Sequence, residues 1–168
     1  LALAAVFVCA SALFLCCESG RPDALVPLDV FRQSQFSAAL AIAGMMTFGM
    51  YAMLFLTPLY LQSLGGASPF RVGLELLPLS VTFVIVSQYS GALAKRIGPR
   101  AMMASGMGAM GTGLLLLASV STTPNMALIE TALLIIGAGL GLNPGPVNAV
   151  AVASLPPARS GTASGLVN

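Results

Sequence analysis

The charged residues of this chain fall into five short groups, and the stretches between them are long enough to cross a membrane. The groups are Glu18 to Arg32, Arg71 with Glu75, Lys95 to Arg100, Glu130 and Arg159. Residues 33–70, 76–94, 101–129 and 131–158 carry no formal charge. A helix needs about 20 mostly apolar residues to span the hydrocarbon core, and each stretch is near or above that length. With only 7% charged residues, the chain lacks the ~25% with which a soluble domain covers its surface. The expected fold is an all-α, multi-pass integral membrane protein surrounded by lipid. Its net charge of +2 leaves no electrostatic footprint for nucleic acid.

Backbone groups in lipid must be bonded within the segment, which makes helices the default for such runs. Spanning helices are predicted at Leu1–Cys17, Phe36–Leu61, Gly73–Ala94, Ala101–Val120 and Met126–Ser154, with a sixth beginning near Gly161. Gly65-Gly66, Ser68-Pro69, Gly98-Pro99, Thr123-Pro124 and Pro156-Pro157 punctuate the breaks. Ser68 before Pro69 reads as a helix N-cap with proline in the first turn. The run Leu1–Cys17 has neither an initiating Met nor the basic flank of a signal peptide. A new apolar segment also starts within 160–168, and the sequence is therefore expected to be a piece of a longer protein.

Alternate loops hold Arg21 and Arg32, then Lys95, Arg96 and Arg100, then Arg159, whereas the opposite loops hold only Arg71. Six basic residues against one is a strong positive-inside bias, which predicts that 18–35, 95–100 and 156–160 are cytoplasmic. In the fifth predicted helix Gly137, Gly141, Gly145, Ala149 and Ala153 recur at every fourth position, and in the fourth Ala101, Ser105, Ala109 and Gly113 do the same. Small residues at this spacing let helix backbones approach closely in lipid. Pro58, Pro78, Pro144 and Pro146 are expected to bend their helices.

The chain has no His, and its three cysteines, Cys9, Cys16 and Cys17, show no metal-ligand spacing. No nucleophile–base set, phosphate loop or metal motif is present, so neither an enzyme nor a bound cofactor is expected.

The loop Gly91-Ala-Leu93-Ala-Lys95-Arg96-Ile97-Gly98-Pro99-Arg100 joins two apolar helices and carries three positive charges. It resembles the cytoplasmic loop motif of the major facilitator superfamily. Gly91, Leu93, Arg96, Gly98 and Arg100 match, while Lys95 stands where the family usually has an aspartate that latches neighbouring helices. Leu28-Asp29-Val30-Phe31-Arg32 followed by Phe36 is similar to the entry into the second half of the fourteen-helix drug:proton antiporters. Thr57-Pro58-Leu59-Tyr60-Leu61-Gln62 and the stretch from Ser68 to Pro78 resemble the next outer loop and its flanks. Gly137, Gly139 and Gly141, Pro144, and Pro156-Pro157-Ala-Arg159 resemble the following cavity helix and its inner loop.

The resemblance implies a partial helical bundle of that family in the cell (inner) membrane. Residues 1–17 would end a central linker helix, 18–35 would form a cytoplasmic linker, and 36–168 an incomplete second bundle, the N-terminal half lying elsewhere. It further implies a role for Gly91, Lys95, Arg96, Gly98 and Arg100 in conformational gating. Met45, Met46, Phe48, Tyr51 and Phe55 on one cavity helix, and Asn143 and Asn148 on another, are the implied solute pathway. Polarizable and aromatic side chains suit greasy cations. Glu130, an ionisable group inside a membrane helix, is the candidate for proton coupling. Glu75, four residues after Arg71, is expected to form a structural ion pair. The function implied is proton-coupled efflux of hydrophobic or cationic drugs by alternating access. Carriage of another solute, such as a lipid or siderophore, and a non-transporting membrane scaffold are the alternatives.

Overall fold

A computed structural model describes residues 33–63, 66–120 and 125–154, together with the isolated positions Cys9, Gly161, Ser164 and Gly165. The predicted helix Leu1–Cys17, nearly all of the linker 18–35 and the start of the sixth helix lie outside the described residues. Within them the chain forms α1 (Ser34–Ser63), α2 (Pro69–Glu75), α3 (Leu77–Ile97), α4 (Pro99–Ala118), α5 (Met126–Leu142) and α6 (Pro144–Ala153). By length and composition four segments can span a membrane: Ser34–Ser63, Pro69–Ile97, Pro99–Ala118 and Met126–Ala153.

Capping and proline explain the boundaries. The Ser68 side chain accepts a hydrogen bond from the Arg71 amide at 3.4 Å, with Pro69 opening the helix. Asn125 caps α5 by accepting from the Leu128 amide at 3.3 Å. The third predicted helix therefore starts at Pro69 rather than Gly73, and it is interrupted at Leu76. Pro78 has no N–H to donate to the Leu74 carbonyl, so the ladder fails there. The fifth predicted helix is likewise two pieces, because Pro144 and Pro146 withdraw the donors that would reach Leu140 and Leu142. Asn143 occupies the break.

The segment made of α5 and α6 is the centre of the bundle. Half of its most apolar window, 50%, is buried, against 11% for the segment of α2 and α3. One edge of α5 meets α3 through glycine. A Cβ on Gly137 would strike the Leu79 carbonyl, and one on Gly141 would lie 2.9 Å from the Phe83 carbonyl oxygen. At the second position of α6, a Cβ on Gly145 would lie 3.2 Å from Ser90 Oγ. The four-residue glycine ladder thus runs along α3. Gly139 looks the other way, where a Cβ would lie 2.6 Å from the Gly106 carbonyl oxygen of α4.

Of the small face predicted for α4, only Gly113 packs. Ala101 and Ser105 are exposed and Ala109 only half-buried; the buried seam is Met102, Gly106, Met110 and Gly113. Small size alone does not choose a face. Gly106 receives Asn143 and Gly113 receives Ile136, while the methionines between them bend to fill the remaining volume. α1 lies across this core. It packs on α6 through Phe36, Ala39, Ala43, Val147 and Ala151, with Met103 of α4. It touches α4 at Gly49, against the Met110 methyl group.

Gly137→Ala and Gly141→Ala are expected to destabilise the protein by about 1–3 kcal/mol through overpacking. Gly108→Ala, whose added carbon has nothing within 4 Å, is expected to be neutral or to stabilise by up to about 1 kcal/mol through helix propensity. Thermal unfolding of the purified protein in detergent measures all three. Similar shifts at the three sites would contradict the glycine seam.

Candidate functional site

At about 3.6 residues per turn, positions 45, 48, 51 and 55 fall on one side of α1 and position 46 on the other. Met45, Phe48, Tyr51 and Phe55 are exposed by 64%, 77%, 63% and 70%. They form an uncharged, polarizable stripe that no described helix covers. Met46 is separated from them and packs against the core cluster that contains Met53, Met110 and Ile136. Leu59 continues the exposed stripe at 53%. The sequence reading missed it, although its spacing of four residues from Phe55 was the available signal.

α1 and α4 touch at Gly49, against Met110, and a cavity lies on each side of that contact. Toward the end that carries Lys95, Arg96 and Arg100 lies a groove of about 560 Å³, lined among others by Gln35, Met45, Arg100, Met103 and Met107. Met45 and Arg100, far apart in sequence, thus line one groove. Toward the opposite end lies a pocket of about 430 Å³ whose lining includes Met53, Thr57, Tyr60, Leu114 and Ile129.

The basic loop is very short. Gly98 both ends α3 and starts α4, with φ 88° and its amide donating to the Ala94 carbonyl at 3.0 Å. A side chain at that φ is strained, which gives this glycine a conformational reason. Gly91, by contrast, has open space where a Cβ would point. Lys95 and Arg96 occupy the last turn of α3, where cations complement the exposed carbonyls. Both are exposed, as is Arg100.

Asn143 is fully buried at the break between α5 and α6. Its side-chain amide donates to the Gly139 carbonyl at 3.0 Å, and its side chain sits over Gly106. Its Oδ1 is buried without a hydrogen-bond partner among the described residues. The residue is thus wedged between helices rather than set on an open surface. Asn148, further along α6, is half-buried. Asn143 and the α1 stripe do not share a surface.

The two acids also part company. Glu130 is exposed, five residues after the Asn125 cap of α5. Arg71 Nε donates to Glu75 Oε1 at 3.1 Å, the pair its spacing predicts. With the Arg71 side chain 64% exposed, such a pair contributes a few tenths of a kcal/mol, about 0.5 at most. Among the described residues no group of three or more His, Cys, Asp or Glu is placed to hold a metal.

Residues 2–168 match the family model described as Major Facilitator Superfamily. The chain is 34% identical over 157 residues to the multidrug resistance protein Stp of Mycobacterium tuberculosis, covering 94% of this chain and 29% of that protein. It is 32% identical over 164 residues to the tetracenomycin C resistance and export protein of Streptomyces glaucescens, covering 96% of this chain and 30% of that one. A tetracycline resistance determinant of Streptomyces rimosus is 29% identical over 167 residues, 98% of this chain and 48% of that protein. The chain thus spans about 30% of the length of the first two relatives. No solved structure matches it.

Gly106→Ala is expected to push Asn143 out of its notch and cost about 1–3 kcal/mol. On an Asn143→Ala background the same change should cost less, a coupling above about 0.5 kcal/mol. A double-mutant cycle read by thermal unfolding checks this; strictly additive losses would remove the wedge from the account.

Proposed function

Because this chain belongs to the major facilitator superfamily, we propose that it is part of a secondary transporter that exports hydrophobic or cationic drugs. The observation that carries this reading is the uncharged stripe of Met45, Phe48, Tyr51 and Phe55 on α1, exposed and continuous. Such a surface binds flat or greasy solutes without demanding one pattern of hydrogen bonds, which suits a broad substrate range. A cation gains further from the faces of Phe48, Tyr51 and Phe55. The names of the relatives, multidrug resistance and tetracenomycin C resistance and export, support the same class of solute. The four apolar spans and the family make this an integral, multi-pass protein of the cell membrane.

In the proposed mechanism the stripe and the 560 Å³ groove face a pathway completed by the rest of the transporter, including its N-terminal half. Two bundles rock about a site near the midplane of the lipid bilayer. The end of the bundle bearing Lys95, Arg96 and Arg100 lies in the cytoplasm, where positive charge is retained. The loop from Gly91 to Arg100 controls which side is open. Gly98 holds α3 and α4 at a fixed short separation, so that movement of one carries the other. Asn143 and Asn148, flanking and following the break in the central segment, sit where a bend in that segment alters the pathway. Protons drive the cycle, with Glu130 exchanging them at its exposed position on α5. A proton gradient lets efflux proceed against the concentration of a lipophilic cation without a bound cofactor.

Cells expressing the complete parent protein are expected to export a lipophilic cation dye, and an uncoupler should abolish that export. Arg96→Ala should lower the export rate at least several-fold at unchanged membrane expression, and Glu130→Gln should leave dye binding intact while removing the response to the proton gradient. Retention of dye at wild-type protein levels, across a broad panel, would refute the transporter reading.

A further inference from the structure

The loop between α3 and α4 concentrates positive charge more tightly than membrane topology requires. Lys95, Arg96 and Arg100 fall in one short run with no acid among them, whereas residues 18–35, expected on the same side, mix Arg21 and Arg32 with Glu18, Asp23 and Asp29. Orientation depends on how many Lys and Arg a short loop holds, not on their lying side by side. A compact cluster of cations therefore needs a second explanation.

The fold keeps the cluster together and leaves it unneutralised. Lys95 and Arg96 end α3, Arg100 is the second residue of α4, and Gly98 alone joins the two helices. Among the described residues the acids are Glu75 and Glu130, near the starts of α3 and α5 and so at the opposite end of the bundle. The ion pair there is Arg71–Glu75, and Lys95, Arg96 and Arg100 are all exposed. Like charges held this close repel one another, and an anion among them removes that cost.

Depth in the membrane identifies the source of the anion. α4 has 20 residues, a length of about 30 Å, which equals the thickness of the hydrocarbon core. Its first turn therefore lies at the level of the lipid phosphates. Ile97, beside Arg96, is 50% exposed, and Leu93, one turn deeper, 38%, so apolar surface continues beneath the charges. A soluble phosphate or an acidic peptide matches the charges alone, whereas an anionic lipid matches both parts. Each arginine fork grips phosphate oxygens in pairs, and the lysine adds a point charge.

We infer that Lys95, Arg96 and Arg100 bind the headgroup phosphate of an anionic phospholipid in the cytoplasmic leaflet. Lys95 matters as much as the arginines, because an acid at that position would leave the loop with little net positive charge. The inference goes beyond drug export, and lipid binding is read without transport, so the two stand or fall separately.

The test titrates the full-length parent protein, in neutral detergent micelles, with phosphatidylglycerol carrying a fluorescent acyl chain and with phosphatidylcholine carrying the same label. Fluorescence anisotropy reads the binding. Phosphatidylglycerol is expected to bind at least about tenfold more tightly. Lys95→Gln, Arg96→Gln and Arg100→Gln should each weaken it about fivefold, the effect of ~1 kcal/mol per charge, and Lys95→Asp should weaken it further. Arg71→Gln, at the opposite end, should change it less than about twofold. Phosphatidylglycerol held no more tightly than phosphatidylcholine overturns the inference. So does full retention of phosphatidylglycerol by the variant with all three glutamines, at an unchanged melting temperature. Displacement of the labelled phosphatidylglycerol by an equal concentration of inorganic phosphate would assign the cluster to a soluble anion and likewise overturn the lipid site.

Discussion

Close backbone contact through glycine is what the rest of this bundle depends on. In lipid no hydrophobic effect pulls one helix toward another, so association relies on packing and on how near the backbones come. Gly137 and Gly141 bring α5 against the backbone of α3, and Gly139 brings the same helix against α4 from the other side. The central segment is held between two neighbours by positions that have no side chain to adjust. That leaves little freedom for sliding or rotation at the middle of the molecule.

Proline breaks two of the segments. The central segment breaks at Asn143, ahead of Pro144 and Pro146, and the neighbouring segment breaks at Leu76, ahead of Pro78. At both places the missing donor is a consequence of sequence, while the surroundings differ. Around Asn143 the break is buried, its side chain bonded to Gly139 and seated over Gly106. Around Leu76 only the short helix α2 and the exposed Arg71–Glu75 pair intervene. The Asn143 break falls between Gly141 and Gly145 of the glycine ladder, and the Leu76 break lies just ahead of Leu79, where that ladder begins on α3.

The long helix α1 has a different character. It touches α4 at Gly49, with a groove on one side of that contact and a pocket on the other. Its outer stripe is apolar and uncovered by any described helix. One helix therefore offers two surfaces, a packed face and a broad polarizable face.

The all-α membrane architecture was legible in the sequence because charge is excluded from lipid, and the charged residues of this chain mark the segment ends. The start of α5 at Met126 and the Arg71–Glu75 pair were legible for a similar reason, since each is written in spacings of three or four residues, whereas the first two helices start at Ser34 and Pro69 rather than at the expected Phe36 and Gly73. Position along α1 separated Met46 from Met45, Phe48, Tyr51 and Phe55 only once the neighbours of that helix were in place. On α4 the sequence singled out Gly113 but not Gly106, because several small-residue spacings coexist there and only the shape of α5 selects among them. The burial of Asn143 and the exposure of Glu130 belong to tertiary structure alone. Sequence by itself determined which segments are helical and able to cross a membrane, through local periodicity and the cost of charge in lipid. The fold decided which faces meet, because a helix presents every face equally until another helix covers one.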